Sequence, residues 1–350
     1  MPVDTQKLDA FLGKAVGDLG AAMSVPLMIV GERLGLYRAM QKAGPMTSEQ
    51  LAKKTNTTER YVREWLMNQA AGGYVNYDAA TKAFTLPDEQ AMAMADEDSP
   101  CYMHGGYEVI LSLFRDLDKI ESVFKTGKGL EWGEHDHCLF SGTARFFRPS
   151  YIGNLVSNWI PALDGMHEKL QAGAKVADVG CGYGHSTMLM AGAYPKSSFT
   201  GFDYHAPSVE SANRIAKQNG LSNVEFKTAK ATEFPGTGYD MVACFDCLHD
   251  MADPTGTSRH VLSALKPEGT WMIIEPLADD APEKNLHPLG RLFYAASTQI
   301  CVPVSVAGNG PALGAQAGES RLKQVVTAGG FKRFRRATQT PFNLVLEARP

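Results

Sequence analysis

The sequence predicts an α/β chain. A doubly wound, Rossmann-like sheet of seven strands fills the C-terminal half, closed by an antiparallel hairpin, and a mainly helical winged-helix domain precedes it. Three observations carry that reading. Short apolar runs alternate with helix-length segments from Lys175 onward, the rhythm of βαβ units. The first of those runs leads straight into Asp178-x-Gly180-x-Gly182-x-Gly184 and then a helix, a strand-to-helix turn whose backbone can approach a ligand. The first hundred residues, by contrast, read as short amphipathic helices and a small hairpin. At 350 residues, 44% hydrophobic and 21% charged, the chain is long enough for two domains without a covalent staple. The expected partition is a winged-helix and dimerisation domain over 1–100, a helical linker contributing to a substrate pocket over 101–165, and the sheet domain over 166–350.

In the N-terminal part, helices are expected over 3–23 and 27–40, with Gly35 and Gly44-Pro45 as punctuation. Thr47-Ser48-Glu49-Gln50 reads as a capping box. A helix over 58–71 carries Tyr61, Trp65 and Leu66 on one stripe and ends at Gly72-Gly73; strands over 74–77 and 83–86 then make the wing. Such a motif invites a DNA-binding reading, yet residues 1–100 carry ten Lys or Arg against thirteen Asp or Glu, and the would-be recognition helix alternates Glu59, Arg60, Arg63 and Glu64. That balance lacks the cationic footprint phosphate requires. A packing module is expected instead, with a homodimer formed through this domain and no nucleic-acid partner.

The first apolar stretch, 19–31, contains Pro26, follows Asp18 and falls short of the roughly 20 residues a membrane span needs. No membrane segment is therefore expected. The six cysteines at 101, 138, 181, 244, 247 and 301 show no disulfide framework and suit a reducing, cytoplasmic compartment. The linker is crowded with aromatic residues, of which Tyr107, Trp132, Phe147 and Tyr151 are candidate walls of the substrate pocket. His135-Asp136-His137-Cys138 offers metal-capable side chains without a partner cluster at zinc spacing, so no metal is expected.

Chemistry concentrates after Lys175. A second strand over 198–202 ends in Asp203, nineteen residues after Gly184, where an acid can take both hydroxyls of a ribose. The third glycine follows the second after one residue rather than two, which disfavours a pyrophosphate. This arrangement resembles motif I of the class I S-adenosylmethionine-dependent methyltransferases. The resemblance implies that Asp178, Gly180, Cys181, Gly182, Asp203, Tyr204, Phe245 and Asp246 surround the cofactor, with Lys230 and Ala231 beside its adenine. Many members carry an acid where Lys230 stands. Further strands fall at 224–227, 240–245 and 270–274, a helix at 319–328, and a closing hairpin at 331–336 and 342–348, an ending typical of that class. The basic run Lys332, Arg333, Arg335 and Arg336 reads as the solvated side of an outer strand, with Phe331 and Phe334 inward.

After the fourth strand comes Phe245-Asp246-Cys247-Leu248-His249-Asp250. It matches the place where winged-helix small-molecule methyltransferases carry a His-Asp pair, so the resemblance makes His249 and Asp250 the catalytic candidates, with His249 a general base or a pocket wall. Histidine suits proton abstraction near neutral pH. Cys244-x-x-Cys247 is expected to be structural. The segment 277–318 reads as a substrate lid offering His287, Arg291 and Tyr294. The runs GTARFFRPSY, WIPALDGM, FDYH, LHDMADP, GRLFYAAST and LGAQAGESRL are similar to a bacterial and invertebrate branch of these enzymes, over nearly the whole chain. That likeness favours methylation of a small thiol or sulfide. Methylation of a phenolic or hydroxylated metabolite is the alternative, and a ligand-sensing DNA regulator a third reading. The chemistry needs no metal.

Overall fold

The structure, a computed structural model, describes residues 3–350. Contacts divide it into two compact units, residues 3–112 with Ser141–Pro149 and Leu113–Phe140 with Ser150–Pro350. The 101–165 linker is thus shared between the two units rather than forming one of its own.

The first unit opens with α1 (Thr5–Arg33), α2 (Leu36–Met40), α3 (Ser48–Thr55) and α4 (Glu59–Ala71). The wing, β1 (Asn76–Asp78) paired with β2 (Ala83–Thr85), follows, then α5 (Asp88–Met94) and the start of α6 (His104–Arg115). The capping box forms as expected: Thr47 and Gln50 each satisfy the other's backbone amide. The first two expected helices differ from observation, because α1 runs through Pro26 without a break. A proline in a helix interior costs about 3 kcal/mol; burial on either side of it offsets that cost. Val25, Met28 and Ile29 are buried, and the indole of Trp65 donates to the Leu27 carbonyl at 2.9 Å. Gly35, in the left-handed region at φ 69°, makes the real break.

The same helix is longer than the apolar stretch read from the sequence. Among the described residues α1 is long and apolar enough, by length and composition alone, to cross a membrane, with mean hydropathy 1.3 over its best window and 22% of that window buried. Its exposed apolar side chains, Leu8, Phe11, Leu12, Val16, Leu19 and Met23, recur at helical spacing and form one stripe. On α4 the cations are already engaged: Arg60 pairs with Glu64 and Arg63 with Glu59, each at 2.7 Å.

The second unit contains α7 (Leu117–Thr126), the end of α8 (Cys138–Asn154), α9 (Met166–Ala172), β3 (Lys175–Val179), α10 (His185–Ala193), β4 (Ser198–Asp203), α11 (Ala206–Gln218) and β5 (Val224–Thr228). It continues with β6 (Tyr239–Phe245), α12 (Pro254–Ala264), β7 (Leu265–Pro276), α13 (Pro288–Ala296), α14 (Val302–Ala307), α15 (Gly318–Ala328), β8 (Arg333–Gln339) and β9 (Asn343–Arg349). The seven strands lie in the order β5-β4-β3-β6-β7-β9-β8. Pairing is parallel from β5 to β7, and the β8–β9 hairpin is antiparallel. The central strands are buried on both faces, so they read as continuous apolar runs such as Met241–Phe245. The outer basic run is less solvated than expected. Arg335 bonds Asp164 at 2.9 Å and pairs with buried Glu347, and Arg336 pairs with Glu319. Phe331 is buried against Trp271.

Candidate active site

Chain order reverses across β3: β4 lies on one side and β6 on the other. Ligands of open α/β sheets bind at such a switch point, outside the carboxyl ends of the strands. The glycine turn occupies that place. Gly180 has φ 79°, and a side-chain carbon on it would lie 2.6 Å from the Cys247 sulfur. Gly184 has φ 74°, with the Phe226 ring 2.4 Å from the corresponding point. The amides of Gly180 and Cys181 donate to the Phe202 carbonyl at 2.8 and 3.1 Å, which ties the turn to β4. Asp203 ends β4 with one oxygen accepting from Gly182 N–H and the other from His205 N–H, both at 2.8 Å. Its carboxylate is fixed in orientation and keeps lone pairs for further donors.

Asp178 is fully buried. One of its oxygens accepts from Ser186 and Thr187 at 2.7 and 2.6 Å, and the other has no partner. Burial raises its carboxyl to about 6, against the lowering effect of the two hydroxyls. An orphaned buried acceptor beside a bare glycine cradle and a fixed carboxylate fits a ligand that brings hydroxyls and a positive charge, which is the chemistry of S-adenosylmethionine. Lys230 is exposed in the turn after β5, and Ala231 packs its methyl group against the core. Tyr204 is half exposed. Trp132 packs at a tilt on Phe140, which packs likewise on His205 at 4.5 Å between ring centres, in the loop that follows Asp203.

The other wall is built from β6 and β7. Asp246 follows buried Phe245 with φ 51°, an uncommon conformation for a non-glycine residue. Its carboxylate accepts from Asn343 at 2.9 Å and Tyr151 at 3.5 Å, and burial holds its pKa well above the usual range. The backbone then turns through Leu248–Asp250 and carries His249 into the interior. There its Nδ1 lies 2.5 Å from Glu275, which also accepts the Leu248 amide at 2.9 Å. Its Nε2 faces the Cys301 sulfur at 3.3 Å. Burial alone would lower the pKa of His249, but the Glu275 carboxylate and the Cys301 sulfur together hold it well above the ordinary value. Asp250 is pushed up to about 7 by burial, partly countered by His249. Asp178, Asp203, Asp246, Asp250 and Glu275 thus surround this region, with the imidazole of His249 beside Glu275 and that of His205 beside Asp203.

The carboxylate that touches His249 is Glu275, while Asp250 feels its charge. The Cys247 sulfur bonds the Val179 carbonyl at 3.3 Å and lies against Gly180. Glu275 had a signal in the sequence, an acid inside the otherwise apolar run Trp271–Pro276. The contacts of Cys301 and Asn343 had none, because both come from distant segments.

The expected pocket residues fall in both units. Tyr107 and Phe147 fall in the first unit, where Tyr107 shares a hydroxyl bond with Tyr74 at 3.0 Å and Phe147 packs edge-on against Phe146. In the second unit Tyr151 is buried between Phe245 and Asp246. His287 is exposed and caps α13 by accepting from Gly290, and Arg291 is exposed in the first turn of that helix. Tyr294 lines an open groove of about 450 Å³ with Ile120, Phe124 and Thr298. Asp136, His137 and Cys138 bring ligand-type atoms within 4.8 Å of one another, but the Arg115 guanidinium bonds both Asp136 and Cys138, and a cation there repels a metal ion.

Comparisons with known proteins bear on both parts of the chain. A family model described as a methyltransferase domain matches residues 170–310, and an Rv2258c-like winged HTH domain matches residues 21–96. An uncharacterized methyltransferase, YcgJ, of Bacillus subtilis (strain 168) is 31% identical over 122 residues, 34% of this chain and 47% of that protein. The ubiquinone biosynthesis O-methyltransferase of Bordetella avium (strain 197N) is 34% identical over 155 residues, 42% of this chain and 56% of that protein. The chain therefore spans about half the length of the curated relatives it matches. Among solved structures, mitomycin 7-O-methyltransferase MmcR superposes with TM-score 0.68 at 20% identity, covering 99% of this chain and 100% of that one. Human N-acetylserotonin methyltransferase, solved with SAM, gives 0.66 at 16% identity, covering 97% of each. At these identities the likeness is one of fold. Residues 170–310 thus match a methyltransferase domain and residues 21–96 a winged helix-turn-helix domain.

Proposed function

We propose that this protein transfers a methyl group from S-adenosylmethionine to a hydroxyl of a small molecule, with His249 as the general base. The observation that carries the reading is the buried His249–Glu275 pair at the carboxyl edge of the sheet, beside the glycine turn. When bound, the cofactor supplies a methyl group activated on a sulfonium sulfur. Asp203 would hold the ribose hydroxyls, Gly180 to Gly182 would admit the methionine portion, and the surrounding carboxylates favour a positive charge that is lost on transfer. His249 would receive the acceptor's proton while Glu275 fixes its tautomer and orientation.

The sequence alone favoured a thiol acceptor. That preference gives way to a hydroxyl for two reasons. Most of the relatives named for an acceptor atom are O-methyltransferases, beside one tRNA (guanine-N(7)-)-methyltransferase. A thiol with pKa near 8.5 also needs little help to ionise at neutral pH, whereas a phenol near 10 needs the base. The test is a panel of phenols, hydroquinones, aliphatic alcohols, amines and thiols, following release of S-adenosylhomocysteine. Turnover confined to hydroxyl compounds supports the reading, and turnover confined to thiols or amines refutes it. We further propose that the apolar stripe of α1 is covered by a second copy of the chain. Light scattering at micromolar concentration should then give a dimer that Leu12→Glu with Leu19→Glu dissociates, and a wild-type monomer would refute it.

A further inference from the structure

We propose that Cys301 is a positioning residue for His249: its side chain holds Nε2 of the imidazole until the acceptor hydroxyl takes its place. The inference rests on reading His249 as the base. Nδ1 is committed to Glu275 at 2.5 Å, so Nε2 is the nitrogen left to receive an acceptor's proton, and the Cys301 sulfur stands 3.3 Å from it. Both side chains are buried, which keeps water from that contact. Cys301 is delivered by a π-turn, Ser297–Cys301, between α13 and α14. Such turns add one residue to a helix and frequently mark functional sites. A second contact anchors the same segment, since the Gly314 amide donates to the His249 carbonyl at 3.3 Å.

The charged and titratable groups facing His249 are few. Glu275 comes from β7, Cys301 from the π-turn, and Asp246, Cys247 and Asp250 from its own loop. The neighbouring helix α14, Val302–Ala307, has no ionisable side chain. Cys301 is one of the groups that raise the pKa of His249, so the base form, with Nε2 unprotonated, is populated only on the alkaline side of that raised value. Removing the sulfur should let burial pull the titration of His249 to lower pH and should leave Nε2 open to the acceptor.

The experiment compares the wild type with Cys301→Ala and Cys301→Ser. The ring resonance of His249, assigned by its loss in His249→Gln, is titrated without acceptor, and acceptor kinetics are measured across pH. The expected result has three parts. The midpoint and the acid limb of kcat/KM both move to lower pH in Cys301→Ala. Cys301→Ser, which keeps a hydrogen-bonding group, stays near the wild type. The acceptor KM falls about two- to tenfold in the alanine variant with kcat nearly unchanged, the size of one lost hydrogen bond. An unmoved midpoint in Cys301→Ala overturns the proposal, as does a fall in kcat at constant KM, the mark of disturbed packing. The titration is read without acceptor, so an absence of methyl transfer in the wild type would count against His249 as base and leave the thiol–imidazole contact separately tested.

Discussion

The two walls of the candidate site are built in opposite ways. On the cofactor side, Asp178, the glycine turn and Asp203 lie on two consecutive strands and the turns that follow them. Their hydrogen bonds stay within this one βαβ unit, such as Gly182 to Asp203 and Ser186 to Asp178. On the base side, His249 meets Glu275 from the next strand, Cys301 from a helical insertion, and through Asp246 both Asn343 and Tyr151. The first wall is assembled within one βαβ unit, β3, the glycine turn and β4. The second exists only when the sheet is complete, and it should respond to mutation through the chemistry more than through the fold.

Gly184→Ala is the strongest attack on the local wall. A methyl group there meets the Phe226 ring at 2.4 Å from a backbone at φ 74°, so the turn must shift. A loss of roughly 1–3 kcal/mol in denaturant unfolding is expected, together with loss of cofactor binding by calorimetry. A variant of wild-type stability that still binds would show the turn to be less constrained than its geometry indicates.

On the other wall, Glu275→Gln keeps the shape and removes the charge. Without that carboxylate, burial prevails and the pKa of His249 falls. The acid limb of kcat/KM should move to lower pH, and the weaker base should lower the plateau on the order of tenfold. Cofactor affinity should change little. An acid limb that stays in place would mean that Glu275 is not what sets the state of His249.

Much of the first wall was legible in the sequence. The glycine spacing, the acid at the end of the second strand and the rhythm of apolar runs are local signals, and the seven strands appear within a few residues of their expected places. The second wall was legible only in part. The motif singled out His249 and Asp250, but not the carboxylate that His249 touches. The parallel β6–β7 pairing instead brings up Glu275, by a register that residue order alone does not specify. Pro26 misled for a related reason. Local propensity forbids it in a helix, and tertiary burial of Val25, Met28 and Ile29 overrides that preference. Breaking α1 at Pro26 also hid the full length of this apolar helix.

A smaller effect links the two walls through protons. Asp178 near 6 and Asp250 near 7 are both raised by burial. In the free protein their contribution to stability is complete below the unfolded values near 4 and is lost as pH rises through 6 to 7. A cationic ligand favours their ionised forms. Cofactor affinity should therefore weaken about three- to tenfold as pH falls from 8 to 5.5, and binding at pH 6.5 should release protons. Calorimetry in buffers of different ionisation enthalpy reads this directly, and proton uptake would contradict it. The smallest effect is expected from Lys230→Ala. That side chain is exposed, and cofactor affinity should stay within about twofold; a larger loss would place the lysine over the adenine.

The central claim is that His249 removes the acceptor's proton. Single-turnover methyl transfer by His249→Ala, with cofactor affinity measured on the same samples, tests it most directly. The account predicts a rate lower by about 10²–10⁴-fold with affinity nearly unchanged. A rate within a few-fold of the wild type would make His249 a wall of the pocket and contradict the account.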